Sequence, residues 1–587
     1  MPNATTPLLE NDRRNPLTDR NRSGSEDGLR GRSPATRSGR PWVLQMREAI
    51  LFAWAVLATA GVLILAVWAS HKSQTPSDKP AGKRNLIFMV SDGMGPASLS
   101  LTRSFRQHTE GLEYGDTLTL DKHFWGSSRT RSSSSLVTDS AAGATAFSCA
   151  RKSYNGAISM LPDSTPCGTV LEAAKKAGYT TGLVVTTDIT DATPACFASH
   201  VNFRSQQDEI ALHEIGQGSL GRVVDLMLGG GRCHFLPNGT EGGCRLDNID
   251  AITLAQKEYG WNYIGDRAAF DEFWEGRKDV PLPMLGLFAP TDIPFELDRR
   301  NMNDLYPSLS EMAKTALRAL EKATEKSDKG FFLMIEGSRI DHAGHGNDPS
   351  AQVREVLEYD KTFKAVLDFL DESKTEGVLV ATSDHETGGL SVARQLNVNY
   401  PQYLWYPQVL ANATASSEHL ARRLQQHIAQ TQGSSESNSD ATEKLKKYIN
   451  EELVVPGLGI TNATPEELES LALHPESAQP AFANMISTRA QIGWSTHGHS
   501  AVDVNIYSSG GPGTEALRGN VENTDVGKFL REYLDVDVEA VTKELNDKMG
   551  HEAKADGFAE GGVAFAQDHW LAHEALEQRL FEEGRAR

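Results

Sequence analysis

The chain has 587 residues and a formal charge of −20, a length that implies one large domain with insertions or two domains. So acidic a balance argues against binding nucleic acid through bulk electrostatics. Five cysteines are a low, odd count for this length, and no CxxC metal spacing occurs.

Residues 1–48 are rich in Arg, Ser, Asn, Pro and Gly with almost no aromatic residue, and are predicted to be a disordered cytoplasmic tail. Leu8-Leu9 followed by Glu10 matches a sorting signal, although so short a pattern is common by chance. Ala49–Ser70 has no charge and is rich in Leu, Val, Ala and Trp, long enough to span a bilayer. It is too long, and starts too far into the chain, for a cleaved signal peptide. It shows no polar face, which disfavours a buried globular helix. A single-pass transmembrane helix over 49–70 is therefore expected.

Flanking charge does not orient it: Arg37, Arg40 and Arg47 precede the span, and Lys72, Lys79, Lys83 and Arg84 follow it. The Arg-rich tail, the position of the large domain and the sequons at Asn238, Asn412 and Asn462 favour a cytoplasmic N-terminus and a lumenal domain. A polar linker over 71–84 contains Pro76 and Pro80.

The main domain is expected over 85–545. Its first strand, Asn85-Leu86-Ile87-Phe88-Met89-Val90, runs into Ser91-Asp92-Gly93-Met94-Gly95. Three later segments share this grammar. Gly182–Thr187 leads to Asp188 and then Asp191-Ala192-Thr193-Pro194; Phe331–Ile335 leads to Glu336 and then Asp341-His342-Ala343-Gly344-His345; Gly377–Thr382 leads to Ser383-Asp384-His385-Glu386. Continuously apolar strands imply burial on both faces. With helices expected over 169–177, 308–326 and 351–370, the pattern predicts an α/β fold: a large, mostly parallel central sheet covered by helices on both faces. Ligands bind such sheets at the carboxyl ends of the strands, where each of these segments carries an acid or an acid–His pair.

From 395 to 490 the pattern changes to aromatic loops, charged helices and a Ser/Gln-rich patch near Ser434, expected to be an insertion. The chain re-enters at Trp494-Ser495-Thr496-His497-Gly498-His499 and a last strand through Tyr507. Residues 546–587 are expected to form a helical C-terminal tail. Cys233 and Cys244 flank the turn signal Pro237-Asn238-Gly239 and form the most plausible disulfide. The pairing of Cys149, Cys167 and Cys196 is open.

The chemistry centres on Val137-Thr138-Asp139-Ser140-Ala141-Ala142-Gly143-Ala144-Thr145. It places the Ser140 hydroxyl at a predicted helix N-terminus, where free N–H groups and the dipole favour an anion; Thr/Asp/Ser before an Ala run is also an ordinary N-cap. Asp341 and His345 lie i, i+4; Asp384 and His385 are adjacent; His499 comes from far along the chain. This oxygen and imidazole mixture suits Zn2+, with a harder oxygen set left for Mg2+. The Arg204 guanidinium matches two phosphate oxygens.

Together these segments resemble the alkaline phosphatase family: Val137–Thr145 resembles its nucleophile signature. Asp92-Gly93-Met94-Gly95, Asp191–Arg204, Leu228-Gly229-Gly230-Gly231-Arg232, Glu336, Asp341–His345, Asp384-His385 and the His499 loop follow in the family's order from about 85 to 510. The anchor and arrangement resemble the fungal vacuolar, type II membrane form.

The resemblance implies that Ser140 becomes phosphoserine and that Arg204 grips the phosphate. It implies two zinc ions and one magnesium per subunit: Asp341, His345 and His499 on the first zinc; Asp92, Asp384 and His385 on the second; and Asp92, Thr193 and Glu336 on magnesium, with Asp191 acting through magnesium-bound water. His499 is preferred to His497 because Asp503-Val504 follows it at the family's spacing. Asp191 and His342 combine the Asp of one family branch with the His of another.

The resemblance further implies hydrolysis of small phosphate monoesters with broad leaving-group tolerance, rising toward alkaline pH. It also implies a homodimer to which the 395–490 insertion contributes a crown, and residence in the vacuole membrane, with the cell surface as alternative. Competing readings are a phosphodiesterase or nucleotide pyrophosphatase of the same superfamily, against which Arg204 speaks, and a non-catalytic membrane-anchored binding domain, against which Ser140 speaks. No G-x-S-x-G or Walker A run is present.

Overall fold

The structure, a computed structural model, describes residues 42–73, 82–400, 402–431 and 438–555. The tail up to residue 41, linker residues 74–81, the patch at 432–437 and the C-terminal stretch 556–587 lie outside the described residues. The chain divides into two units, Met1–Pro76 and Ser77–Arg587.

In the first unit the described element is one helix, Trp42–Ser73, on which the expected span 49–70 falls. Leu51, Phe52, Trp54, Leu57 and Val62 are exposed along it. The side chains of 64–73 are outside the described set, and among the described residues no helix is long and apolar enough to cross a membrane. The helix continues through Ser73, so the linker starts later than residue 71.

The second unit contains, in chain order, β1 (Arg84–Val90), β2 (Phe124–Arg129), β3 (Thr180–Asp188), β4 (Leu226–Gly230), β5 (Asn262–Ile264), β6 (Met284–Leu287), β7 (Phe331–Glu336), β8 (Glu376–Thr382), β9 (Glu386–Thr387), β10 (Ser391–Val392), β11 (Ile492–Gly493), β12 (His499–Ser500), β13 (Val504–Ser508) and β14 (Gly519–Glu522). Ten of these form one sheet in the order β14-β2-β13-β8-β1-β7-β3-β4-β6-β5. Only β13 runs antiparallel to its neighbours, β8 and β2; the other pairs in that sheet are parallel.

The unbroken apolar strands follow from two-sided burial. Alternate residues of β1 and β7 serve opposite faces: Leu86, Phe88, Val90, Phe332 and Met334 join one core, while Ile87, Met89, Phe331, Leu333 and Ile335 join the other. Helices Val170–Lys176 and Asn523–Leu534 cover the first face, and Leu309–Thr324 and Pro349–Glu372 the second. Each large apolar side chain so buried contributes roughly 1.5–3 kcal/mol. Capping boxes at Thr169/Glu172 and Ser308/Glu311 start two of the helices. The third starts at Pro349 rather than 351, because Asp348 caps the N–H groups of Ser350 and Ala351.

The 395–490 region forms helices that gather Leu410, Leu420, Leu424, Leu453, Phe482 and Ile486 against Leu101, Phe105 and Val353. Its ends are zipped together: β10 pairs with β11, and β12 with β9, setting His499 opposite Thr387. The excursion therefore returns the chain beside the end of β8. Helix Val538–Ala555 crosses the expected 545/546 boundary, because Val538, Val541 and Leu545 seat it on Ala173. Cys233–Cys244 is a disulfide, as is Cys149–Cys167; Cys196 is free and buried.

Candidate active site

Strands β8, β1, β7 and β3 are consecutive in the sheet, so the acids that follow them meet at one edge. Asp92 follows β1, Glu336 ends β7, Asp384 and His385 follow β8, and Asp191 lies just beyond β3. All but Asp191 are buried.

Ser140 opens helix Ser140–Cys149, with Asp139 as its N-cap accepting from the Ala142 N–H at 2.9 Å. The other Asp139 oxygen accepts from the Gly156 N–H at 2.7 Å. This helix approaches the β8 loop closely: a Cβ on Gly143 would lie 2.9 Å from the Asp384 Cβ. The approach brings Ser140 Oγ to 3.1 Å from His385 Nε2. The same nitrogen lies 3.2 Å from Asp384 Oδ2 and 3.5 Å from Asp92 Oδ1.

A second cluster adjoins the first. His345 Nε2 is 3.2 Å from Asp341 Oδ2 and 3.1 Å from His499 Nε2. His499 Nε2 is 3.7 Å from Asp341 Oδ1, and its ring stacks on His385 at 3.5 Å. His499 Nδ1 faces the Thr138 carbonyl at 2.8 Å. His497 turns away and bonds the His345 carbonyl through Nδ1 at 2.7 Å, so the geometry favours His499 over His497. Gly93, at φ +73°, admits the backbone of Asp341, whose Cα would sit 2.6 Å from any Cβ there.

At the third group, Glu336 accepts from Ser338 Oγ at 2.6 Å and faces Thr193. Asp191 caps helix Ala192–Ala198 through the Ala192 N–H and accepts from Arg204 Nη2 at 2.8 Å. Arg204 Nη1 is 3.8 Å from Asp139 Oδ2, beside the turn that carries Ser140. His342 pairs with Asp292 at 3.1 Å.

The electrostatics are those of an anion cluster. Burial, then Asp384, Asp341 and Glu336, push Asp92 well above the usual carboxylate range. Burial raises Glu336 to about 8 and Asp384 to about 6, with neighbouring carboxylates adding. Asp341 stays well below its ordinary value because His345, His499 and His385 outweigh its burial. Burial lowers His499 to about 4 and holds His385 well below its ordinary value.

These observations test whether divalent cations fit. Asp92 Oδ1 and Asp384 Oδ2 are buried without a hydrogen-bond partner, a costly state for a carboxylate unless a cation takes the place of the donor. Two groups, Asp92–Asp384–His385 and Asp341–His385–His499, each bring their ligand atoms within 4.8 Å of one another. The donors, carboxylate oxygen and neutral imidazole, suit zinc. The residues fit.

Every site residue expected from the sequence lies in this one region. The sequence reading missed Thr387, whose hydroxyl bonds Asp341 Oδ1 and faces His385 Nδ1 at 3.2 Å; its only signal was its position three residues after Asp384. It also missed Asp292, which holds His342 from a segment with no motif.

The sequence model described as alkaline phosphatase matches residues 83–536. The repressible alkaline phosphatase of Saccharomyces cerevisiae is 56% identical over 497 residues, covering 82% of this chain and 84% of that one. The alkaline phosphatase of Schizosaccharomyces pombe is 46% identical, covering 89% and 94%. Among solved structures, a cold-active alkaline phosphatase from Shewanella superposes with a TM-score of 0.62 at 29% identity, over 77% of this chain and 99% of that one. The chain belongs to the alkaline phosphatase family.

Proposed function

We propose that this protein hydrolyses phosphate monoesters through a phosphoserine formed on Ser140. The observation that carries this reading is the 3.1 Å approach of Ser140 Oγ, at a helix N-terminus, to Nε2 of His385, the residue common to the two cation-fitting groups.

Asp341, His345 and His499 would hold one zinc ion, Asp92, Asp384 and His385 a second, and Asp92, Thr193 and Glu336 a magnesium ion, with Asp191 beside it. When bound, these cations ease deprotonation of hydroxyl and water oxygens and neutralise charge on the attacking and leaving oxygens.

Ser140 Oγ attacks phosphorus as its proton passes to solvent, the bond to the leaving-group oxygen breaks, that oxygen departs as the alcohol after taking a proton from solvent, and phosphoserine remains. Water then attacks phosphorus from the vacated side, releasing phosphate and restoring the hydroxyl. Arg204 grips two non-bridging oxygens and fixes the phosphoryl group for in-line attack. Because these contacts address the phosphoryl group, leaving-group tolerance should be broad.

The test is an assay of purified protein on nitrophenyl phosphate and on its bis-ester, before and after chelation. Faster cleavage of the diester would replace the monoester reading by a phosphodiesterase. Absence of phosphate incorporation at Ser140 at low pH would support a non-catalytic domain instead.

The setting proposed is the vacuole membrane, with the N-terminus cytoplasmic and the catalytic domain lumenal. In its support, Ala49–Ser70 is uncharged and lies within one helix, about 33 Å long against a hydrocarbon core of about 30 Å. Two disulfides suit an oxidising compartment. Asn238, Asn412 and Asn462 are all exposed, as glycosylation requires. A homodimer is proposed as well, supported by the exposed strip Val398, Tyr400 and Tyr403 in the 395–490 region.

A further inference from the structure

We propose that Thr387 is a positioning residue that fixes both zinc clusters at once, through one hydroxyl shared between a ligand of each. The inference rests on the metal assignment above. Thr387 is fully buried. Its Oγ1 donates to Asp341 Oδ1 and lies 3.2 Å from His385 Nδ1. A hydroxyl has one proton, and a carboxylate oxygen only accepts, so that proton belongs to the bond with Asp341. Toward His385 the same oxygen presents a lone pair, so Nδ1 must carry the hydrogen and donate. Neutral imidazole has one N–H. Nε2 is therefore left with its lone pair aimed at the space shared by Ser140 Oγ, Asp384 Oδ2 and Asp92 Oδ1, the orientation a metal ligand needs.

The backbone of Thr387 reaches the remaining ligands. It stands opposite His499 in the β9–β12 pair, and its N–H donates to the Gly93 carbonyl at 3.2 Å, next to Asp92. Helix Arg339–His345, which carries Asp341 and His345, lies against its side chain: a Cβ on Gly344 would be 3.0 Å from both Cβ and Cγ2 of Thr387. One residue thus touches the elements that supply both clusters. A side chain of equal shape without the hydroxyl would leave the His385 Nδ1–H and Asp341 Oδ1 without this partner.

The experiment compares full-length wild type, Thr387→Val and Thr387→Ser, measuring zinc bound per chain at equilibrium in chelator-buffered zinc. Thr387→Val keeps the volume and loses the hydroxyl; it is expected to weaken zinc binding at both sites about 10–100-fold. Thr387→Ser keeps the hydroxyl and is expected to restore most of that affinity. If Thr387 only fills space the order reverses, since Val conserves the packing and Ser leaves a methyl-sized gap; that order, or equal binding by all three proteins, overturns the proposal. Weakening confined to one zinc per chain also overturns it. Zinc uptake by wild type is read in the same titration, and its absence would overturn the metal assignment itself, together with this inference.

Discussion

Ser140 Oγ and His385 Nε2, 245 residues apart in the chain, stand 3.1 Å from each other with both side chains out of solvent. This contact joins the opening turn of one helix to the loop after β8, and it is where the proposed nucleophile and a proposed metal ligand meet. Replacing Ser140 by Ala removes the atom proposed to form the covalent bond while leaving every proposed ligand in place. Turnover of nitrophenyl phosphate should fall by about 10^4-fold or more, with zinc content unchanged. A Ser140→Ala protein retaining a tenth of wild-type turnover would exclude the phosphoserine route.

Arg204 is held between two carboxylates, 2.8 Å from Asp191 and 3.8 Å from Asp139. That frame holds a guanidinium beside Asp139, the residue before Ser140. For Arg204→Ala, the loss of a charge-assisted, two-pronged contact should lower kcat/KM on monoesters by roughly 10^2-fold and weaken inhibition by inorganic phosphate in parallel. Arg204→Lys should recover only part, since an ammonium restores charge without the fork. Unchanged phosphate inhibition in Arg204→Ala would remove this residue from the substrate contacts.

The sheet was legible because physics repeats itself along the chain. Phe331–Ile335 and Leu86–Val90 are apolar at every position since alternate residues enter different cores, and the acids behind them are where parallel strands deliver ligands. Helix starts were readable to within two residues from Thr169 and Ser308, whose caps are local. What depended on long-range closure was not readable. Cys149 and Cys167 pair because Cys149 ends the Ser140 helix and Cys167 returns past Ser159, an arrangement no spacing announces. Thr387 fell in no expected element or motif, and its role follows only from the β9–β12 pairing that returns the chain after the 395–490 excursion.

Beyond the cost of burial, the Asp384, Asp341 and Glu336 carboxylates raise the charging cost of Asp92, and Asp341 raises that of Asp384, so the folded protein without cations carries repulsion that the unfolded chain escapes. Chelation should therefore abolish activity and lower thermal stability together. Restoring zinc at a hundredfold excess over Kd should return about 2.7 kcal/mol per site, read as a zinc-dependent rise in the unfolding midpoint. A protein whose midpoint ignores zinc while its activity responds would place the catalytic ions outside this carboxylate cluster.

His213 provides a stability probe outside the set of proposed metal ligands. Its Nδ1 faces Ser199 Oγ at 2.8 Å, with Glu209 at 3.8 Å from Nε2. Burial, with a smaller contribution from the neighbouring His200, lowers its pKa to about 4, against about 6.5 in an unfolded chain. Between those values the unfolded chain binds the proton that the folded one refuses, so stability rises with pH across the window. The contribution is fully present above pH 6.5 and is lost as pH falls toward 4, a swing of at most about 3 kcal/mol. Urea unfolding of wild type and His213→Asn at pH 7 and pH 4.5 isolates it, because titrations common to both proteins cancel in the difference. Wild type should lose about 2–3 kcal/mol more than the variant over that interval. An equal loss in both proteins would mean that His213 charges as readily in the fold as in water, and that the burial around Ser199 does not exclude its proton.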